Sequence, residues 1–209
     1  MTQRKLFNRK NKKQLIEKLS CENFNRTTCS FYRYVKIKNP QKIRDLLYEE
    51  WINLNILGRA YLAKEGINAQ INVPEQNWKL FLEILNKHPE FSQMFIKPAV
   101  ENSNQSFIKL IIKVKDKIVA DGLDDATFDS SNVGNLLSAE EFNLAMEDEN
   151  SVLVDMRNYY ESEVGHFKDA ICPDVDTFKD SLPIVKDQLT GKKNHKILLY
   201  CTGGIRCEK

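Results

Sequence analysis

The feature that most restricts the fold is a junction near the carboxyl end. The apolar run Lys196-Ile-Leu-Leu-Tyr200 passes directly into Cys201-Thr202-Gly203-Gly204-Ile205-Arg206-Cys207. A short continuous apolar run suits a strand buried on both faces, as in parallel sheets covered by helices. A second run, Val152-Leu-Val154, ends in Asp155. Ser138-Ala-Glu-Glu141 ahead of it reads as a capping box opening a short helix through Met146. Strands alternating with helices predict a doubly wound α/β sheet, whose ligands sit beyond the carboxyl ends of the strands. Asp155 and Cys201 both fall there.

A cysteine at that place, followed by Thr-Gly-Gly, is set up for nucleophilic work. The glycines let the chain curl so that successive backbone N–H groups point at the sulfur, and such a nest stabilises an anion. Arg206 adds a fixed positive charge able to bond carbonyls or an incoming anion. The alternative for a lone cysteine is a small buried apolar residue. Cys207 reads either as a resolving thiol or as a packing residue opening the next helix. Cysteine-dependent phosphatases use Cys-x5-Arg, a cradle wide enough for phosphate. The interval from Cys201 to Arg206 is Cys-x4-Arg, one residue shorter, and a narrower pocket suits a sulfane sulfur better. In the segment Val152 to Ala170, Asp155, Arg157, Glu161 and His166 are the candidates for supporting the loop, with Asp155 and Arg157 able to brace it from a neighbouring strand end. His166 reads as bonding backbone to fix a turn, and His88 and His195 as surface residues.

The first half reads as a β-α-β-β-α-β unit of ferredoxin-like or acylphosphatase-like order. Phe31 to Ile37 is a strand, and Asn39-Pro40 supplies a cap and a first helical residue. Ile43, Leu46, Leu47, Trp51 and Leu54 follow at helical spacing. Arg59 to Ala63 and Ile67 to Val73 are strands joined by a tight turn at Glu65-Gly66. Pro74 opens a helix with Trp78, Phe81, Leu82 and Leu85 on one face. Ile108, Leu110, Ile112 and Val114 form the inner side of a last strand. Two helices then cover one side of an antiparallel sheet. The open side offers Tyr32, Tyr34, Lys36, Asn68, Gln70, Asn72, Lys109 and Lys113, which suits stacking on bases and neutralising phosphates. A plain solvent-facing sheet is the alternative. The boundaries that follow are 1–25 for a basic extension, 26–120 for this domain, 121–137 for a linker and 138–209 for the second domain.

The formal net charge of +2 conceals a strong asymmetry. Asp121 to Asp176 carries fifteen Asp/Glu against two Lys/Arg, whereas Met1 to Ser20 carries seven Lys/Arg against one acid. Basic and acidic modules point to different partners, with RNA a candidate for the first, while a solvated, charge-mixed surface is the alternative that charge alone favours. The basic, polar start has neither the pattern of a secretory signal nor that of an anchor, and no apolar run approaches the roughly 18 residues a membrane span needs. Five irregularly spaced cysteines point to free thiols in a reducing cytoplasm. No zinc spacing, no two-histidine-one-carboxylate set and no Gly-x-Gly-x-x-Gly run is present.

Four stretches together are highly specific: YLAKEGINAQINVP (61–74), VADGLDDATFDSSNVG (119–134), VDMRNYYESEVGHF (154–167) and YCTGGIRCEK (200–209). From about Arg26 to Lys209 the chain resembles the rhodanese-related tRNA uridine hydroxylases. The resemblance implies an acylphosphatase-like domain ahead of a rhodanese domain. It implies oxygen-dependent 5-hydroxylation of wobble uridine, with tRNA as partner, dioxygen as co-substrate, Cys201 as catalytic cysteine and a cytoplasmic setting. It also implies that chain continues beyond Lys209, with the helix after the loop and a final strand. From the residues alone, persulfide formation and sulfur transfer at Cys201 is the alternative chemistry. An RNA-binding module with a vestigial rhodanese fold is a third reading.

Overall fold

A computed structural model of the chain describes residues 6, 11–99, 107–123, 129 and 133–209. The chain divides into two compact units, 1–118 and 119–209.

The first unit opens with α1 (Lys12–Ser20), capped by Asn11 and Gln14 in a reciprocal capping box. Next come β1 (Arg26–Tyr34), α2 (Pro40–Asn53), β2 (Leu57–Ala63), β3 (Gly66–Pro74), α3 (Trp78–Lys87), β4 (Lys97–Pro98) and β5 (Leu110–Val114). The sheet order is β4-β1-β3-β2-β5. Asn39 caps α2 through the Lys42 N–H, with Pro40 in the first turn. Leu47 and Trp51 of α2 and Phe81 and Leu85 of α3 are buried on one side of the sheet with Phe31, Ile67, Ala69 and Ile71. Phe31, Trp51 and Phe81 meet at ring separations of 6.0 to 6.2 Å, within the range of favourable aromatic packing. The β2–β3 turn depends on Gly66. At φ 149° a Cβ there would lie 2.0 Å from the Arg33 carbonyl oxygen.

Several expectations need correction. The expected sheet is antiparallel with 108–114 as its last strand, but a further short strand takes the edge beside β1. Two residues, Lys97 and Pro98, take that edge against Cys29 and Ser30, and β5 runs parallel to β2 at the opposite edge. A two-residue strand has no periodicity to detect. The sheet is therefore mixed, with Val114 exposed. Pro74 closes β3; a 3-10 turn over Glu75–Asn77 intervenes before α3. Leu46 faces outward. His88 is not a surface residue: its side chain is 11% exposed, with Nε2 2.7 Å from Glu50 Oε2 and the ring against Phe91.

The second unit contains α4 (Ala139–Met146), β6 (Ser151–Asp155), α5 (Tyr159–Val164), α6 (Phe178–Gln188) and β7 (Lys196–Tyr200). Ser138 and Glu141 form the expected capping box on α4. β6 and β7 pair in parallel from Ser151 opposite Lys196 to Asp155 opposite Tyr200, and Ile171 adds a parallel bridge at Val154. Val154, Met156, Phe178 and Val185 form one buried cluster, against which Cys201 and Cys207 pack. Asp155 and Cys201 thus leave the same end of adjacent parallel strands.

Candidate active site

Cys201 follows β7 directly and is partly buried. Its loop folds back so that the Gly204 N–H points at the sulfur, 3.0 Å from Sγ. The Cys207 thiol contributes most to lowering the Cys201 pKa; burial opposes it, and the backbone N–H groups of Arg206, Gly203 and Gly204 add to it. The balance holds Cys201 at about 5, against an ordinary 9.0. It is a thiolate at neutral pH. Donation to that thiolate, together with burial, pushes Cys207 the other way. Cys207 packs against the apolar cluster as well.

Glu161, in the first turn of α5, ties this loop down. Its Oε1 accepts from Thr202 Oγ1 at 2.6 Å, and its Oε2 accepts from Arg206 Nη1 at 2.8 Å and from the Asn158 N–H at 3.0 Å. Burial would raise the Glu161 pKa, but these donors outweigh it and hold the carboxyl at about 2. Arg206 also reaches the Met156 carbonyl at 3.4 Å. Its guanidinium is therefore committed to the protein, and Ile205 sits within the same turn.

Asp155 and Arg157 form a separate brace at the end of β6. The fully buried Asp155 carboxylate accepts from Arg157 Nε and Nη2 at 2.6 to 3.0 Å and from the Tyr200 hydroxyl at 2.8 Å. Arg157 Nη2 continues to the Gly165 carbonyl at 2.6 Å, and its guanidinium lies over the Tyr200 ring. Burial raises the Asp155 pKa, but the bonds from Arg157 and Tyr200 bring it below the ordinary carboxylate value. His166 Nδ1 lies 3.0 Å from the Ser162 carbonyl, at the carboxyl end of α5. The four bracing candidates thus divide: Glu161 touches the loop, Asp155 and Arg157 fix the strand ends, and His166 is held at its own turn.

Two further groups were not singled out from sequence. Tyr200 links Asp155, Arg157 and the Phe167 N–H; its only signal was an aromatic at the last strand position. Asp121, placed by sequence in a linker, is buried in the second unit with Oδ2 2.7 Å from Lys209 Nζ, both side chains fully covered. Residues 124–128 and 130–132 of that segment lie outside the described residues.

The open side of the first sheet forms registered rows. Tyr32, Asn68, Tyr61 and Lys113 lie side by side across β1, β3, β2 and β5, and Lys97, Ser30, Gln70, Arg59 and Ile111 form the next row. Tyr34 packs edge-on to Tyr32 at 6.2 Å. Lys36 and Lys109 are exposed just beyond β1 and just before β5. None of the five strands contains Asp or Glu. Sequence reading missed Arg59, Tyr61 and Lys97, which only strand register brings into these rows. Asn72 is a correction: it is fully buried, bonded to Thr28 Oγ1 at 3.1 Å. Its corner is closed by buried Arg26, held by Glu22 and by the carbonyls of Asn55 and Asn72. The Asn68 amide donates to the Ile118 carbonyl.

Residues 26–118 match the UPF0176 acylphosphatase-like domain, and residues 138–209 match the rhodanese-like domain. The chain thus joins an acylphosphatase-like domain to a rhodanese-like domain in that order. It is 57% identical over 206 residues to the tRNA uridine(34) hydroxylase of Leptospira interrogans, covering 99% of this chain and 56% of that protein. The proteins of the same name from Hamiltonella defensa and Photorhabdus laumondii are 47% and 45% identical, covering 98% of this chain and 58% of each. The chain thus spans little more than half the length of these curated relatives. Among the described residues no helix is long and apolar enough to cross a membrane, and no cluster of three His, Cys, Asp or Glu side chains is placed to hold a metal ion.

Proposed function

We propose that this chain belongs to a cytoplasmic tRNA-modifying enzyme that hydroxylates uridine at the wobble position, with Cys201 as its catalytic thiolate and dioxygen as co-substrate. The observation that carries the reading is the loop folded back on Cys201, with the Gly204 N–H 3.0 Å from its sulfur and the Cys207 thiol and neighbouring backbone N–H groups lowering its pKa to about 5. Such a site stabilises an anionic sulfur and keeps it nucleophilic at neutral pH. The names and the 45 to 57% identity of the relatives supply the reaction.

The roles then distribute over both units. Thr202, Gly203, Gly204 and Ile205 shape the loop, and Arg206 anchors it to Glu161. Asp155, Arg157 and His166 hold the surrounding strand ends and turn. The open sheet face binds single-stranded RNA: Tyr32, Tyr34 and Tyr61 offer stacking surfaces, while Lys36, Arg59, Lys97, Lys109 and Lys113 neutralise phosphates. The charge partition agrees with this division. Met1–Ile118 carries twenty-two Lys/Arg against eleven Asp/Glu, and Val119–Lys209 carries nine against eighteen.

Nucleoside mass spectrometry of bulk tRNA tests the proposal, comparing cells that lack the gene with cells rescued by the wild type or by Cys201→Ser. Loss of 5-hydroxyuridine derivatives, restored by the wild type alone, is the expected result. Full restoration by Cys201→Ser would remove Cys201 from the reaction. A second reading, persulfide transfer, is favoured by the same nest, since it suits a Cys201 persulfide as well as a thiolate. Thiosulfate-dependent turnover indifferent to RNA would select it.

A further inference from the structure

The three cations on the loop and the strand end beside it are all occupied. Arg206 Nη1 lies 2.8 Å from Glu161 Oε2, Arg157 Nη2 lies 2.6 Å from Asp155 Oδ2, and Lys209 Nζ lies 2.7 Å from Asp121 Oδ2. In each pair at least one side chain is fully buried or both are mostly covered. Each positive charge is therefore matched by a carboxylate in a setting where salt screens little. The negative charge on the sulfur is met by neutral N–H and S–H donors, not by any of these three cations, within a unit whose acids outnumber its bases two to one. The loop's own arginine does not face the site as a free anion receptor.

We infer that the Cys201 site is built for an uncharged acceptor and discriminates against small oxyanions, with Glu161 the residue that sets this specificity. An uncharged acceptor meets the sulfur without electrostatic opposition, and a nucleobase is uncharged at neutral pH. A thiosulfate, sulfate or phosphate would meet a thiolate with no uncommitted cation from Arg157, Arg206 or Lys209 to offset the repulsion. The phosphates of an RNA substrate would be held instead by the basic first unit. The inference rests on Cys201 being the reactive thiolate of the proposed function, and the test separates the two.

The test is alkylation of Cys201 in the full protein by neutral iodoacetamide and by anionic iodoacetate, read at neutral pH by peptide mass spectrometry. A small free thiol provides the reference ratio of the two rates. In the wild type the ratio should favour iodoacetamide well beyond that reference. Glu161→Gln keeps the acceptor for Thr202 and a polar partner for Arg206 while removing one negative charge. The ratio should then fall, by at most about fivefold, the limit for one unit charge acting across about 4 Å under water-like screening. Asp121→Asn, which removes the negative charge 2.7 Å from Lys209 Nζ, should move the ratio the same way and guards against a folding defect in the first variant. Iodoacetamide labelling with an unchanged ratio in both variants would overturn the specificity inference and leave Cys201 reactive. If neither reagent labels Cys201, the reactive-thiolate reading falls, and this inference with it.

Discussion

Replacing Cys207 by alanine tests what keeps Cys201 ionised. The Cys207 thiol is the largest contribution to holding Cys201 at about 5, ahead of the three backbone N–H groups. A hydrogen bond to a charged partner contributes about 1.5–3 kcal/mol, and about 1.4 kcal/mol corresponds to one pKa unit. Cys207→Ala should therefore raise the Cys201 midpoint by about one to two units, to about 6–7. Cys207→Ser keeps an O–H donor and should leave it near 5. The readout is ultraviolet thiolate absorbance against pH in a Cys21→Ser background. Burial pushes Cys29 up to about 12 and also raises Cys172, so neither titrates in that window. The folded thiol is depressed relative to its ordinary 9.0. Its contribution to stability is thus fully present above that value and declines as pH falls, vanishing below about 5. An alanine variant that still titrates near 5 would refute the role assigned to Cys207 and leave the backbone nest as sufficient.

Three other outcomes follow from the same structure. Glu161→Ala leaves Thr202 and a mostly covered Arg206 without their acceptor, and should cost about 1–3 kcal/mol in denaturant unfolding; a loss below experimental error would mean the loop does not depend on α5. Acid should weaken the second unit: Glu161 is held at about 2 and Asp155 also lies below the ordinary carboxylate value. That stability is present above the unfolded carboxylate pKa and is lost as pH falls through the folded values, so a thermal midpoint flat from pH 6 to 3 would contradict it. Arg59→Ala with Lys113→Ala should weaken tRNA binding and lower the salt slope by about 1.4, two contacts at about 0.7 each. An unchanged slope in filter binding would place the RNA elsewhere.

The chemistry of the chain was legible where it is carried by neighbours in sequence. An apolar strand ending in Cys201, two glycines that permit a nest, and a capping box at Ser138 and Glu141 are all local patterns, although of that strand only Leu198 is buried. Each predicted its own geometry. Strand positions of β2 and β3 were legible for the same reason, since period-two alternation and the Glu65-Gly66 turn lie within a few residues. What stayed hidden depends on pairings that no local pattern encodes. Arg59 and Tyr61 are unremarkable in a strand until register sets them between Gln70 or Asn68 on one side and Ile111 or Lys113 on the other. Asn72 alternates with the core like Gln70, yet Thr28 and Arg26 bury it. Tyr200 becomes a ligand of Asp155 only because parallel pairing sets the two opposite each other. The same limit decides the function of Arg206. As a residue five places after a cysteine it reads as an anion receptor, and only the approach of Glu161 from α5 turns it into an anchor for the loop. Net charge at a site is a property of pairs, and those pairs are made by the fold.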